Sequence, residues 1–179
     1  MNKIKIYIGK FILWTIGEIM PSYIYPLGKL SNNIRCVATK LITSNVGNNV
    51  IIERGAHIKA GVILCDNASV GEHCLISKGT IIHGHNFMGP NVRVLTANHL
   101  YSEKTHSYNG YTEVKPVEIG AYSWIGYNVI ILPGVKIGDN TIIGAGSVVT
   151  KSIPSGVMAA GNPCVVKKVI DKEIFEQNN

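Results

Sequence analysis

The sequence is dominated by an aliphatic residue that returns at every sixth position between Val46 and Pro154. The series has fifteen members and is interrupted once; all are Val, Ile or Leu except a single Met. They are Val46, Ile52, Ile58, Leu64, Val70, Ile76, Ile82, Met88, Val94, Ile119, Ile125, Ile131, Ile137, Ile143 and Val149. A period of six is too short for helical repeats and too regular for a β-sandwich. It therefore predicts a solenoid of parallel strands.

The interruption, residues 100–118, begins directly after His99. If three hexapeptides close one triangular turn, residues 46–99 form three coils and residues 119–154 form two. Because both segments contain a whole number of coils, the interruption predicts a loop inserted between coils. A polar segment of nineteen residues with three tyrosines is better explained as a functional arm than as a passive connector.

Residues 1–45 precede the repeats and are aromatic, apolar and basic, with six Lys or Arg residues against Glu18 alone. The pattern predicts a helix from Ile4 to Met20, because Pro21 disfavours helical geometry in the residue before it. Two compatible interpretations follow. The segment caps the open first coil, as repeat proteins require, or it lies on an anionic membrane surface. It is too short and too charged to span a bilayer, and it lacks the cleavage site of a signal peptide.

Residues 155–179 follow the repeats. The six-residue frame fails after Pro154, and residues 155–168 contain Gly and Pro at intervals that predict turns. Residues 171–179 predict a short helix or a tail.

Composition narrows the class of protein. A chain of 179 residues that is mostly repeats has no room for a second catalytic domain. The four cysteines show no close pairing, which favours reduced thiols and a cytoplasmic location. The net charge of +6 does not indicate nucleic-acid binding, because the repeats hold no basic cluster interleaved with aromatic residues.

Four segments resemble the bacterial hexapeptide-repeat acyltransferases, in the branch that contains galactoside, maltose and polysaccharide O-acetyltransferases. They are MGPNVRVLTANH (88–99), KPVEIGAYSWIG (115–126), VIILPGVKIGDNTIIGAGSVVTKSIP (129–154) and AAGNPCVVKK (159–168). The resemblance covers about residues 90–175. It implies an all-β fold, the left-handed parallel β-helix, with an N-terminal helical cap, and a homotrimer with active sites between subunits. The left hand comes from the resemblance alone, since ordinary parallel crossovers are right-handed.

His99 matches the histidine that this family uses as its general base. Such a base suits the chemistry, because a hydroxyl must lose its proton as it attacks a thioester, and imidazole titrates near neutral pH. In several relatives a loop carboxylate orients that histidine. Glu113 is the candidate here, although it stands one or two residues from the family's position. Glu103 and Glu118 are alternatives, and a backbone carbonyl can do the same.

The resemblance also implies a site for acetyl-CoA along the later coils. Trp124 would line the pantetheine channel, the backbone around Gly126 and Tyr127 would face the thioester, and Ala145 would contact the pantetheine arm. A backbone N–H there would act as the oxyanion donor. Thr150, Lys151 and Lys168 match positions near the nucleotide, whereas Val165 replaces a second basic residue.

For the acceptor, we expect polar contacts from His85, Asn98 and Tyr101. His83 and His85 also raise a metal alternative, because the same fold hosts zinc carbonic anhydrases. Their ligand spacing does not occur here, and we expect no metal.

The sequence therefore predicts an acetyl-CoA-dependent O-acetyltransferase that modifies a saccharide in cell-surface polysaccharide biosynthesis. The alternative is N-acetylation of an amino sugar on a nucleotide carrier. A metal-dependent hydratase or a non-catalytic scaffold on the same fold is a rival from another class. We expect a cytoplasmic protein that contacts the inner face of the membrane through its N-terminus.

Overall fold

The structure is a computed structural model that describes residues 2–170. Its helices are α1 (Lys3–Phe11), a π-helical turn (Ile12–Ile16), α2 (Gly17–Ile19) and α3 (Gly28–Ile42). Its strands are β1 (Ile51–Ile52), β2 (His57–Ile58), β3 (Ile63–Leu64), β4 (Ser69–Val70), β5 (Leu75–Ile76), β6 (Thr80–Ile82), β7 (Phe87–Met88), β8 (Arg93–Val94), β9 (His99–Ser102), β10 (Ser107–Tyr111), β11 (Val117–Ile119), β12 (Trp124–Ile125), β13 (Ile130–Ile131), β14 (Lys136–Ile137), β15 (Ile142–Ile143), β16 (Val148–Val149), β17 (Val157–Ala160) and β18 (Val165–Val169).

The repeats form a parallel β-helix whose strands stack in register at eighteen-residue intervals. His57 pairs with Leu75, and Leu75 with Arg93, so each third hexapeptide returns to the same face. One face carries five strands in the order β16-β13-β8-β5-β2. The prediction of about five coils is therefore confirmed.

The six-residue series forms the core of this prism. Fourteen of its fifteen members are at most 3% exposed, and Val46 at the open end is half-buried. Because successive strands are only two or three residues long, each contributes one inward aliphatic side chain to the stack. Burying each such side chain contributes roughly 1.5–3 kcal/mol before conformational entropy is subtracted.

The corners of the prism depend on residues that tolerate a positive φ. Three residues after thirteen of the fifteen core positions, the backbone lies in the left-handed region. These residues are Asn49, Gly55, Gly61, Asn67, His73, Gly79, His85, Asn91, Tyr122, Asn128, Gly134, Asn140 and Gly146. Asn and Gly adopt this conformation at the lowest cost. Their recurrence is a second six-residue signal in the sequence.

The cap differs from the expected single helix. The predicted helix runs from Lys3 to Ile19 through the π-helical turn and ends before Pro21, as predicted. A second helix, α3, packs against it and contacts β1, while Trp14 of the first helix stacks directly on His57. Asn32 of α3 donates to Val50 O at 3.0 Å and accepts from Ile52 N at 2.8 Å. The Asn32 amide therefore provides hydrogen-bond partners for the open edge of β1, as a neighbouring strand would.

The inserted loop leaves the prism three residues earlier than the sequence predicts. Val117 pairs with Thr80, an interval of thirty-seven residues in place of eighteen, so the insertion is nineteen residues long as predicted. However, Lys115 N donates to Thr96 O at 2.8 Å, which places the insertion at residues 97–115. Glu118 therefore stacks beside Ile81, where the hexapeptide count would have placed residue 99.

The C-terminal segment is also more regular than predicted. In place of turns alone, β17 and β18 form an antiparallel pair in which Met158 is opposite Lys168. The expected helix or tail at 171–179 lies outside the described residues.

Candidate active site

The insertion folds into a hairpin arm, residues 97–115, that carries His99. Strands β9 and β10 pair antiparallel, with Tyr108 opposite Tyr101 and Tyr111 opposite His99. Reciprocal hydrogen bonds close its base: Thr112 N donates to Asn98 O at 2.8 Å, and Asn98 N donates to the Thr112 hydroxyl at 3.0 Å. The arm is exposed along most of its length, so His99 is presented on an ordered support outside the prism.

The His99 ring packs against two tyrosine rings, which also contact each other. Its centroid is 4.9 Å from that of Tyr108 and 4.6 Å from that of Tyr111. Desolvation, and then the hydrogen bond with Tyr111, raise the pKa of the Tyr108 hydroxyl above its usual range. Both aromatic contacts restrict the imidazole while the side chain stays exposed to a second reactant.

The predicted orienting carboxylates are not brought to His99 within residues 2–170. Glu113 is exposed and makes no side-chain hydrogen bond to His99 there. Glu118 instead lies on β11, where its carboxylate is 2.9 Å from His83 Nε2 and 2.9 Å from Lys136 Nζ. Its position on the coil, one layer above Ile81, explains why it serves the prism rather than the arm.

A continuous row of side chains crosses one face of the prism from Trp124 to Lys168. Trp124 pairs in register with Ile142, Ile142 with Met158, and Met158 with Lys168. Strands in a sheet are about 4.8 Å apart, so the row is about 14 Å long. Trp124 is half exposed and meets Phe87 edge to face at 6.3 Å. The row is thus apolar, accessible and ended by a cation.

The residues predicted to contact the thioester end of the donor, Gly126, Tyr127 and Ala145, lie together at the next corner of the prism. A Cβ on Gly126 would lie 2.5 Å from Ala145 N, so only glycine permits this close approach of two coils. Gly126 N donates to Ile143 O at 2.8 Å. This ladder bond occupies the Gly126 N–H, which is therefore not available as an oxyanion donor. Tyr127, beside it, is exposed.

The two remaining nucleotide candidates lie elsewhere. Thr150 and Lys151 are exposed and follow β16, on a different face from the Trp124 row. Within one subunit, the residues predicted to bind coenzyme A therefore lie on two different faces of the prism.

The three acceptor candidates also separate. Asn98 and Tyr101 lie on the arm with His99, and the Tyr101 hydroxyl is 3.2 Å from His106 Nδ1. His85 lies at a prism corner, where its ring stacks on Tyr122 at 4.8 Å and 4°. Among the described residues its polar neighbour is Asn67, not a residue of the arm.

Residues 2–170 lack both a metal-binding cluster and a membrane-spanning helix. They contain no group of three His, Cys, Asp or Glu side chains arranged to hold a metal ion. In this part of the chain, no helix has both the length and the apolar character needed to cross a bilayer.

The repeats on both sides of the arm match a known family. The model of the family described as bacterial transferase hexapeptide (six repeats) matches residues 43–78 and 116–151. The chain therefore contains two blocks of the bacterial transferase hexapeptide repeat, one before the arm and one after it.

Curated relatives in the hexapeptide-repeat family include two galactoside O-acetyltransferases. That of Lactococcus lactis is 38% identical over 130 residues, which cover 73% of this chain and 58% of the relative. That of Escherichia coli K12 is 36% identical over 130 residues, covering 71% and 58%. The chain thus spans somewhat less than two thirds of the length of these relatives.

Solved structures of hexapeptide-repeat proteins agree over nearly the whole chain. A maltose O-acetyltransferase from Clostridium difficile 630 superposes with a TM-score of 0.74 and 29% identity, covering 96% of this chain and 90% of that one. A galactoside acetyltransferase in complex with coenzyme A gives 0.73 and 28%, covering 98% and 86%. The coil is therefore the left-handed parallel β-helix that the resemblance implied.

One polar cluster was not anticipated from the sequence. His83 joins Glu118 and Lys136 to Cys65, whose sulfur is 3.9 Å from His83 Nδ1. The intervals of eighteen residues from 65 to 83 and from 118 to 136 are the signal that could have found it. The hydrogen bond from Lys136, and then that from His83, lower the pKa of the Glu118 carboxyl.

Proposed function

We propose that the protein is an acetyl-CoA-dependent O-acetyltransferase that modifies a saccharide hydroxyl. The observation that carries this proposal is the placement of His99, exposed and packed against Tyr108 and Tyr111 on the hairpin arm. An imidazole so presented can accept a proton from a bound hydroxyl. The names of the galactoside and maltose O-acetyltransferase relatives support the same reaction.

The donor fits the row from Trp124 to Lys168. Its apolar length suits the pantetheine arm, and the Lys168 ammonium at its end suits a phosphate. A galactoside acetyltransferase of the same fold has been solved with coenzyme A. We assign Tyr127 and Ala145 to the reactive end of this site, and Thr150 and Lys151 to the nucleotide.

The reaction needs one proton transfer and one acyl transfer. His99 removes the hydroxyl proton as the oxygen attacks the acetyl carbonyl. The C–S bond then breaks, and the thiolate of coenzyme A leaves while the acetyl ester forms. Tyr108 and Tyr111 restrict the imidazole during this step, and Asn98 and Tyr101 offer polar contacts to the acceptor. A positioned general base contributes roughly 10²–10⁴ in rate.

We place the reaction in the cytoplasm, in a homotrimer that builds cell-surface polysaccharide. The arm extends outside its own prism, and the predicted donor residues lie on two faces. A cleft between neighbouring prisms would join the arm, Trp124 and the second group of donor residues. His85, at a corner, would then face the acceptor from the prism.

The decisive experiment compares His99→Ala with the wild-type protein. Release of free thiol from acetyl-CoA is measured with panels of neutral saccharides and amino sugars. We expect kcat to fall by about 10²–10⁴ in His99→Ala, because the attacking hydroxyl loses its base. His106→Ala, a second exposed histidine of the same arm, is the matched control. Because it removes the partner of the Tyr101 hydroxyl, it should raise KM at most and leave kcat near the wild-type value.

Two results would contradict the proposal. Equal turnover in wild type and His99→Ala would remove His99 from the mechanism. Thiol release with amino sugars alone would replace O-acetylation by N-acetylation.

A further inference from the structure

Helix α1 exposes a stripe of large apolar side chains. Ile4, Tyr7, Ile8 and Phe11, the outer stripe, recur at intervals of three and four residues and therefore share one face of the helix. They are between 48% and 69% exposed. The face of a surface helix with the larger apolar side chains normally packs on the core, so this arrangement requires an explanation.

The small residues of α1 explain why the stripe faces outward. Gly9 is buried against α3, and a Cβ there would lie 2.5 Å from Ala38 O and 2.9 Å from Ile42 Cγ1. Four residues later on the same face, Leu13 is 1% exposed. Because the glycine allows the backbones this close approach, α1 cannot turn its bulky side inward without separating from α3.

Lysines border the outer stripe on both sides. At about 100° per residue, Lys5 projects from one flank, and Lys3 and Lys10 from the other. Lys10 Nζ lies 5.9 Å from the ring centroid of Tyr7 and 5.4 Å from that of Trp14. Long lysine side chains in such positions can extend along an apolar surface and keep their ammonium groups in water.

The rest of the cap also exposes basic and apolar side chains. Lys29 and Lys40 of α3 are exposed, and Glu18 is the one acidic residue between residues 2 and 45. Its carboxylate lies 3.7 Å from His73 Nδ1, towards the prism. Further exposed apolar side chains of the cap are Ile16, Ile19, Ile24, Leu27, Leu30 and Val37.

We infer that the outer stripe is a docking surface for an anionic lipid bilayer. Helix α1 lies in the plane of the interface, with the stripe among the headgroups and Lys3, Lys5 and Lys10 on lipid phosphates. The charge distribution selects this occupant. A second copy of the chain, meeting the stripe about a two-fold axis, would place the same lysines against each other.

The outer stripe lies on α1, and none of its residues is assigned to the acetyl-transfer site, whose arm (97–115) and Trp124 row belong to later parts of the chain. Docking therefore does not depend on acetyl transfer. In combination with the proposed function, it would bring the enzyme to acceptors held at the membrane.

Co-sedimentation with lipid vesicles tests the inference on the full chain. We expect wild type to sediment with phosphatidylcholine vesicles that contain phosphatidylglycerol, and to be released by salt or by omission of the anionic lipid. Lys3→Gln combined with Lys10→Gln should weaken partitioning about thirty-fold, since each lysine near the surface contributes about 1 kcal/mol. Ile8→Ser combined with Phe11→Ser should weaken it at least about ten-fold.

Val169→Ser is the matched control, because Val169 is 77% exposed but lies on β18, away from the cap. It should sediment as wild type does. Far-UV circular dichroism and soluble acetyl transfer check that each variant is folded. Failure of wild type to sediment with anionic vesicles would overturn the inference. Sedimentation of both double variants to the same extent as wild type would also overturn it. So would a loss of subunit assembly in Ile8→Ser/Phe11→Ser with vesicle binding unchanged.

Discussion

At the scale of single residues, Glu118 shows how one register position decides a role. Its neighbours in sequence suggested a loop carboxylate, but its pairing beside Ile81 places it on the prism between His83 and Lys136. Both neighbours donate to the carboxylate and stabilise its ionised form, which lowers its pKa. The residue therefore links three coils instead of orienting His99.

Replacement of Glu118 should have a pH-dependent effect on stability. Because the folded-state pKa is lowered, the contribution is fully present above the unfolded value, about 4.3, and is lost as the pH falls through the folded value. We expect Glu118→Gln to lower the free energy of unfolding near pH 7 by at most about 1 kcal/mol, as the ion pairs are partly exposed.

Thermal unfolding at several pH values measures this difference, which should shrink below about pH 4. Glu113→Gln, an exposed carboxylate on the arm, is the control and should show no such dependence. A difference that stays constant down to pH 3 would show that the carboxylate charge is not responsible.

At the scale of the element, each hexapeptide is a short strand followed by a corner. The strand needs an inward aliphatic residue, and the corner needs a residue that accepts a positive φ. Asn and Gly fill most of these corners. Tyr122 is an exception, with a φ of 54°, and its ring stacks on His85 of the preceding coil. The stacking contact offsets part of the cost of that conformation.

Asn140, with a φ of 53°, tests the role of the corners. Asn140→Ala should destabilise the protein by about 1 kcal/mol, because a Cβ without a local polar partner disfavours the left-handed conformation. Asn140→Gly removes the same amide but tolerates the backbone, so it should unfold at or above the wild-type midpoint. Thermal unfolding compares the three proteins. Equal midpoints for the Ala and Gly variants would contradict this account.

At the scale of the whole molecule, the cap, the prism and the arm have different tasks. The cap closes the first coil through Asn32 and through Arg35, whose guanidinium is buried and donates to Ile52 O at 2.6 Å. The prism fixes the order of the exposed rows. The arm carries His99 beyond its own prism, which is the basis for proposing a site shared between subunits.

A shared site predicts complementation between two inactive variants. His99→Ala lacks the base, and Trp124→Ala combined with Lys168→Glu lacks the donor row. If each site joins the arm of one subunit to the row of the next, every mixed trimer holds one intact site in three and should recover about a third of wild-type turnover. The variants are co-expressed with different affinity tags, and thiol release is measured on the doubly purified protein. Activity no higher than that of either variant alone would place both groups in one subunit.

Much of the architecture followed from the sequence because the repeat is local and regular. One aliphatic residue per six specifies the inward direction of every strand, which predicted the prism, its five coils and the nineteen-residue length of the insertion. The position of the insertion was wrong by three residues. Asn98 continues the six-residue count but is exposed, whereas Thr96 is buried. The pattern marks where repeats stop, not where the backbone departs.

Helix α3 was not predicted from the sequence, for a related reason. Its inner face is largely polar, with Ser31, Asn32, Arg35 and Thr39 buried, so apolar residues do not mark the face that packs on the first coil. Asn32 and Arg35 are buried because the first coil, far away in sequence, supplies their hydrogen-bond partners, whereas the Ser31 and Thr39 hydroxyls donate to carbonyls four residues earlier, at Leu27 and Arg35.

The sequence by itself determined the prism, the arm and His99 as the candidate base, since each depends on a local repeat or its interruption. Only the tertiary structure decided which side chains meet. The stacking of distant coils joins Glu118 to His83 and aligns Trp124 with Lys168. The packing of Gly9 against α3 turns the outer stripe away from the core. These contacts depend on register and on close backbone approach between distant segments, which no local pattern encodes.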